Sequence, residues 1–186
     1  QQNGYYVVQY YNIKPSLENE FLLLQNDVWK KIHRERINKD LLDGWHLFRV
    51  ISPTGNKTEY NYILMLEYEN ADKLAKHFEE FGVDYTQILN AEEIAFALRT
   101  PEIGDLAYEE IWSAVDEVMK DYKKRDYRFQ VFNAMKLRPD VSVDEYQRIE
   151  QEYWKPVHME RMKNTDEMFG WGIYNMIIPG GTERAY

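Results

Sequence analysis

The sequence predicts an α+β fold made of two tandem units, each ordered strand, helix, strand, strand, helix, with a helical segment between them. Three observations carry this prediction. The chain repeats itself: Leu17 to Arg36 matches Ser142 to Arg161 at an offset of 125 residues, and Gly44-Trp45 and Pro53-Thr54-Gly55 match Gly170-Trp171 and Pro179-Gly180-Gly181 at an offset of 126. Upstream, the aromatic and β-branched run VQYYN (Val8 to Asn12) lies over FQVFN (Phe129 to Asn133) at an offset of 121, which gives the second copy a longer strand-to-helix turn. Between those runs and the Gly-Trp pairs, each copy carries apolar residues at helical spacing.

Taken in order, Tyr5 to Ile13 reads as a strand stopped by Lys14-Pro15, with Ser16 as a helix N-cap. Leu17, Phe21, Leu24, Val28 and Ile32 then recur at spacings of four and three and form one stripe. The counterpart stripe is Ser142, Tyr146, Ile149, Tyr153 and Val157, opened by the capping box Ser142-x-x-Glu145 and with its geometry set locally by Pro156. After Gly44, WHLFRVI reads as a strand, SPTGNKT as a hairpin loop and YNYILMLEY as the return strand, followed by a helix from Ala71 to Phe81. Asp84 to Leu98 reads as helix, with Ile94 to Arg99 the one candidate for a short fourth strand. Ile103, Ala107, Ile111, Val115, Val118 and Tyr122 read as a further helical stripe, entered at Thr100-Pro101. The division expected is a first unit at 1–81, a helical connector at 82–125 and a second, incomplete unit at 126–186. Tyr186 corresponds to Tyr60, where a third strand would begin, so continuation of the natural chain past Tyr186 is expected.

Composition narrows the classes of function. A net charge of −9, with no basic cluster set apart from acidic neighbours, argues against nucleic-acid binding. No apolar run approaches the ~20 residues of a membrane helix. The absence of cysteine removes disulfides, thiolate metal sites and cysteine nucleophiles together. The first residue is Gln, as in a chain released from a leader peptide or in one trimmed at its start; the compartment stays open, and the first alternative favours an extracytoplasmic location.

The repeated strand-helix-strand-strand-helix order, with Gly-Trp opening the second strand and a Pro-x-Gly hairpin after it, resembles the ferredoxin-like units of the dimeric α+β barrel superfamily. The resemblance covers Tyr5 to Phe81 and Tyr127 to Tyr186. It implies two facing antiparallel sheets around a barrel-like cavity, in one chain or in a homo-oligomer, and activities ranging from cofactor-free oxygenation to haem binding. For haem, the implied axial ligand is His77 on the second helix, although YNYILMLEY has no Trp to match those relatives. No cofactor follows from the residues themselves.

Two sets of residues are candidates for function. The first is the repeated Trp-Lys-x-x-His-x-x-Arg: Trp29, His33 and Arg36, returning as Trp154, His158 and Arg161. At 100° per residue, the three side chains of a copy fall within about 60° on one strip of helix. The strip is either packing, with Arg near the negative end of the helix dipole, or a site where His is a base and Arg holds an anion. No second ligand at metal spacing accompanies either His, so no metal site is expected. The second set comes from strand alternation. Tyr6, Val8 and Tyr10 (matching Tyr127, Phe129 and Val131) are expected beneath helices. Gln9, Tyr11, Trp45 and Arg49, with Gln130, Phe132, Trp171 and Asn175, are expected to line the cavity between sheets. There Arg49 would hold a carboxylate or enolate, the two Gln would orient a small apolar or aromatic molecule, and the two Trp would wall it. The alternatives are a filled core between sheets, and with it a non-enzymatic interaction or assembly module.

Overall fold

The structure, a computed structural model, describes residues 4–51, 59–79, 82–120 and 129–179. The expected hairpin loop SPTGNKT, the stripe residue Tyr122, the strand residue Tyr127 and the Pro-Gly-Gly turn beyond Pro179 lie outside the described residues. The chain divides into two compact units, Gln1–Ser113 with Met176–Ile178, and Ala114–Asn175 with Pro179–Tyr186.

The first unit opens with β1 (Tyr5–Asn12). Pro15, with its fixed φ, then starts a 3-10 turn at Pro15–Leu17. Ser16 therefore sits inside that turn and not at a helix N-cap. The helix that follows is one body in three pieces: α1 (Glu18–Leu23), a π-helical segment (Leu24–Trp29) and α2 (Lys30–Asn38). β2 (Gly44–Arg49), β3 (Tyr62–Tyr68) and α3 (Ala71–Glu79) come next, near the expected bounds. The short helices α4 (Tyr85–Ile88), α5 (Ala91–Leu98) and α6 (Thr100–Ile103) lead to β4 (Asp105–Met119).

Two expectations fail here. Ile94 to Arg99 is not a strand, because the Asn90/Glu93 capping box starts α5 at Ala91 and carries Ile94 into the helix. The stripe from Ile103 to Val118 is not a helix: apart from Ile103 in α6, it belongs to a 15-residue strand. The physical reason is backbone satisfaction across the sheet. β1 pairs antiparallel with β3 on one edge, and its other edge takes β4, with Tyr5 opposite Ser113 and Asn12 opposite Asp105. Long-range pairing of this kind overrides a helical apolar period. β2 pairs antiparallel with β3, so the strands of the first unit lie in the order β2-β3-β1-β4, the arrangement of a ferredoxin-like βαββαβ unit.

Helices cover one face of these strands. Val7, Tyr11, Tyr62, Leu64, Leu66 and Ile111 meet Phe21, Leu24, Val28 and Ile32 in a single core. The stripe read from sequence thus supplies the helical side of that core, and burying each such side chain contributes roughly 1.5–3 kcal/mol. The strand faces, however, are the reverse of those expected. Val8, Ile63 and Met65 form a separate cluster on the other face, with Tyr6, Tyr10, Phe48, Val50, Tyr60 and Trp112 packed around it. Alternation tells which residues share a face but not which face the helices choose. β1 carries apolar side chains on both.

The second unit contains α7 (Val143–Ile149), a π-helical segment (Glu150–Trp154), α8 (Lys155–Asn164) and most of β5 (Gly170–Ile178). Ser142 caps α7, its hydroxyl accepting from the Glu145 N–H at 3.1 Å, and Pro156 sits at the start of α8. The π segments end at Trp29 and Trp154, the same register of the repeat. The expected first strand of this copy is not formed: 129–138 has no regular structure and is largely exposed. The full sheet order, β2-β3-β1-β4-β5, has two ends. Among the described residues this sheet is open and does not close into the expected barrel.

Candidate functional site

The face of β1 and β4 that carries Val8 gathers rings around one carboxylate. Cross-strand register places Val8 opposite Glu110, Tyr10 opposite Tyr108 and Tyr6 opposite Trp112. A register shift after Tyr10 marks a bulge, the kind of irregularity that re-aims side chains. Tyr10 stacks on Tyr108 at 4.3 Å between centroids and meets Tyr60 edge-on at 4.8 Å; Tyr60 meets Tyr108 at 5.7 Å. Glu110, 1% exposed, accepts from the Tyr10 hydroxyl and the Trp112 indole N–H on the same oxygen, each at 3.0 Å. Burial, then the Glu110 charge, raises the Tyr10 pKa far above its ordinary value, so the hydroxyl stays protonated and keeps donating. The carboxylate acts as a clamp that holds two rings in fixed orientation.

The repeated helix motif makes a second feature. In each copy the imidazole lies between two indoles, one from its own helix and one from the Gly-Trp strand. His33 stacks on Trp29 at 6.0 Å and on Trp45 at 5.5 Å; His158 stacks on Trp154 and on Trp171, both at 6.1 Å. Trp29 is fixed further by donating its indole N–H to Thr100 Oγ1 at 3.1 Å. Burial lowers the His33 pKa to about 3, helped by the nearby Arg36 and His77 charges, and its Nδ1 finds no hydrogen-bond partner among the described residues. A neutral ring in an apolar sandwich is poorly placed to move protons. The arginines diverge: Arg36 is buried and reaches the Tyr68 hydroxyl at 3.2 Å and His77 Nδ1 at 3.3 Å, whereas Arg161 approaches Glu167 at 3.9 Å near the surface.

Of the residues expected to share a cavity, Gln9 and Tyr11 meet, while Trp45 and Arg49 are engaged elsewhere in the first unit. Tyr11 and Trp45 belong to, or pack against, the helix-covered core. Gln9 donates to Glu109 at 2.6 Å and accepts from the Tyr11 hydroxyl at 3.0 Å. Arg49 pairs with Glu18 of α1 at 3.1 Å. In the other copy, Gln130 and Phe132 lie in the irregular stretch, Trp171 stacks on His158, and Asn175 accepts from Gln147 at 2.9 Å. His77 is engaged by the Tyr68 hydroxyl at 2.7 Å, and burial lowers its pKa to about 4; nothing in this geometry supports the haem alternative. Sequence reasoning missed Tyr108, Glu110 and Trp112 because their segment read as helix. Their spacing of two, Tyr-x-Glu-x-Trp, was the available strand signal.

Elsewhere, a shallow groove of about 510 Å³ lies between the π segment, α2 and α5, partly closed by the Lys31–Glu93 ion pair. Among the described residues, no group of three or more His, Asp or Glu is placed to hold a metal, and no helix is long and apolar enough to cross a membrane. No protein-family model matches the chain, and no curated protein does. Among solved structures it is similar to a dimeric protein of unknown function and ferredoxin-like fold from Bacteroides fragilis NCTC 9343, at 13% identity and a TM-score of 0.35, over 60% of this chain and 93% of that one.

Proposed function

We propose that the protein binds a small, flat, largely apolar molecule at the aromatic cluster around Tyr10 in its first unit. The observation that carries this reading is the Glu110 clamp. A carboxylate almost wholly withdrawn from water costs stability unless its hydrogen bonds are met. Here it accepts from two aromatic side chains and fixes one of them, Tyr10, beside Tyr60 and Tyr108. Prearranged rings offer contact area without the entropy loss of ordering them, as small-molecule sites require. The site residues are thus Tyr10, Tyr60, Tyr108 and Trp112, on the opposite face from the set the sequence suggested.

The test is a titration with indole and 2-naphthol, followed by protein fluorescence and by native mass spectrometry of protein taken from its source. Saturable binding is expected, weakened at least tenfold by Tyr60→Ala and by Glu110→Ala. Equal affinity in wild type and both variants, or no binding near 1 mM, removes the proposal.

A further inference from the structure

The second unit separates two pieces that the first unit keeps together. In the first unit the stripe residues Leu24, Val28 and Ile32 are at most 1% exposed, and the Tyr11 ring of β1 packs 5.7 Å from Phe21 on the same helix. The repeat register carries Leu24, Val28 and Ile32 to Ile149, Tyr153 and Val157; Ile149 is half-buried, while Tyr153 and Val157 are 63% and 54% exposed, as is Trp154, the counterpart of Trp29, at 51%. The repeat register also carries β1 to Phe129–Asn133, where Phe129 and Val131 are 76% and 79% exposed. The later part of a helix stripe that expects a strand layer, and Phe129 and Val131 of the segment that matches that strand, both face water within one unit.

We infer that this stripe is the docking face for a second copy of the chain, whose Phe129–Asn133 segment lies over it as β1 lies over α1 and its π segment. Reciprocal exchange makes the contact self-complementary, as twofold dimers require. Two further observations favour a second copy. Phe129, Val131, Met135, Tyr153, Trp154 and Val157 together expose on the order of 700 Å² of surface, close to the ~800 Å² per partner of a stable interface. Charge is also complementary: 129–138 contains Lys136 and Arg138 and no carboxylate, while the helix from Val143 to Trp154 holds Asp144, Glu145, Glu150 and Glu152 against Arg148 alone.

The absence of cysteine makes the test direct. Phe132 and Tyr146 are the repeat counterparts of Tyr11 and Phe21. Two differently tagged chains, one Phe132→Cys and the other Tyr146→Cys, are co-expressed and oxidised, and a disulfide between the two tags is expected. Light scattering of the unaltered protein should give twice the 22.5 kDa chain mass, and Val157→Asp should weaken the dimer at least tenfold without changing the folded circular-dichroism spectrum. A monomeric mass at about 50 μM overturns the inference, as does a dimer indifferent to Val157→Asp. So does a disulfide that forms only within a chain carrying both cysteines, which would mean that the segment closes over its own helix.

Discussion

At the scale of single residues, the Trp-His-Trp sandwich explains why a polar side chain is tolerated in the core. His33 gives up hydration but stays neutral, and it gains two ring faces in return. Its pKa falls from 6.5 to about 3 on folding, so the unfolded chain binds the extra proton between those values. Stability is therefore full above pH 6.5 and declines as the pH drops toward 3, with His77 acting in the same direction. Urea melts should show His33 alone costing on the order of 2 kcal/mol between pH 7 and pH 5. His33→Phe should keep the stack and flatten that slope by about half; an unchanged slope would refute the buried neutral state. The motif itself was legible in the sequence, since its residues share one strip of helix. Its third ring was not. Trp45 was assigned to a cavity because spacing along a strand cannot say which face meets the helices.

At the scale of elements, the first unit's helix, both strands of the hairpin and α3 follow from stripe and alternation alone. β4 does not, because Ile111, Val115 and Val118 satisfy a helical period while the decisive influence, the unpaired edge of β1, lies about a hundred residues away. The two copies of the helix give an internal comparison. Trp29 is packed against the core and hydrogen-bonded to Thr100, whereas its counterpart Trp154 is half exposed. Trp29→Ala should cost about 3 kcal/mol in chemical denaturation. Trp154→Ala should cost less than about 1 kcal/mol in the isolated chain. Equal costs would mean that the second helix is as well covered as the first.

At the scale of the whole chain, the tandem arrangement read from sequence resolves into one ferredoxin-like unit and, in the second unit, the repeated helix with its Gly-Trp strand. The repeat offsets located both helices and both Gly-Trp strands; they could not show that the second copy's first strand stays unformed, because pairing partners are not written in local pattern. All residues of the main core fall between Val7 and Ile111. A fragment of residues 1–120 should accordingly melt in one cooperative transition, by circular dichroism and by tryptophan fluorescence alike. A broad, non-coincident transition would show that the core needs the rest of the chain.

The pairing of β1 with β4 also governs how the protein can be made. Tyr5 waits for Ser113. At translation rates of about 5–20 residues per second, roughly 5–20 s separate the emergence of the two strands from the ribosome. Throughout that interval the run YYVVQYYN holds one edge of unpaired amides and carbonyls, in a sequence rich in β-forming residues. The nascent chain is then a better substrate for holding chaperones, and for misassembly between neighbouring ribosomes, than the finished protein ever is.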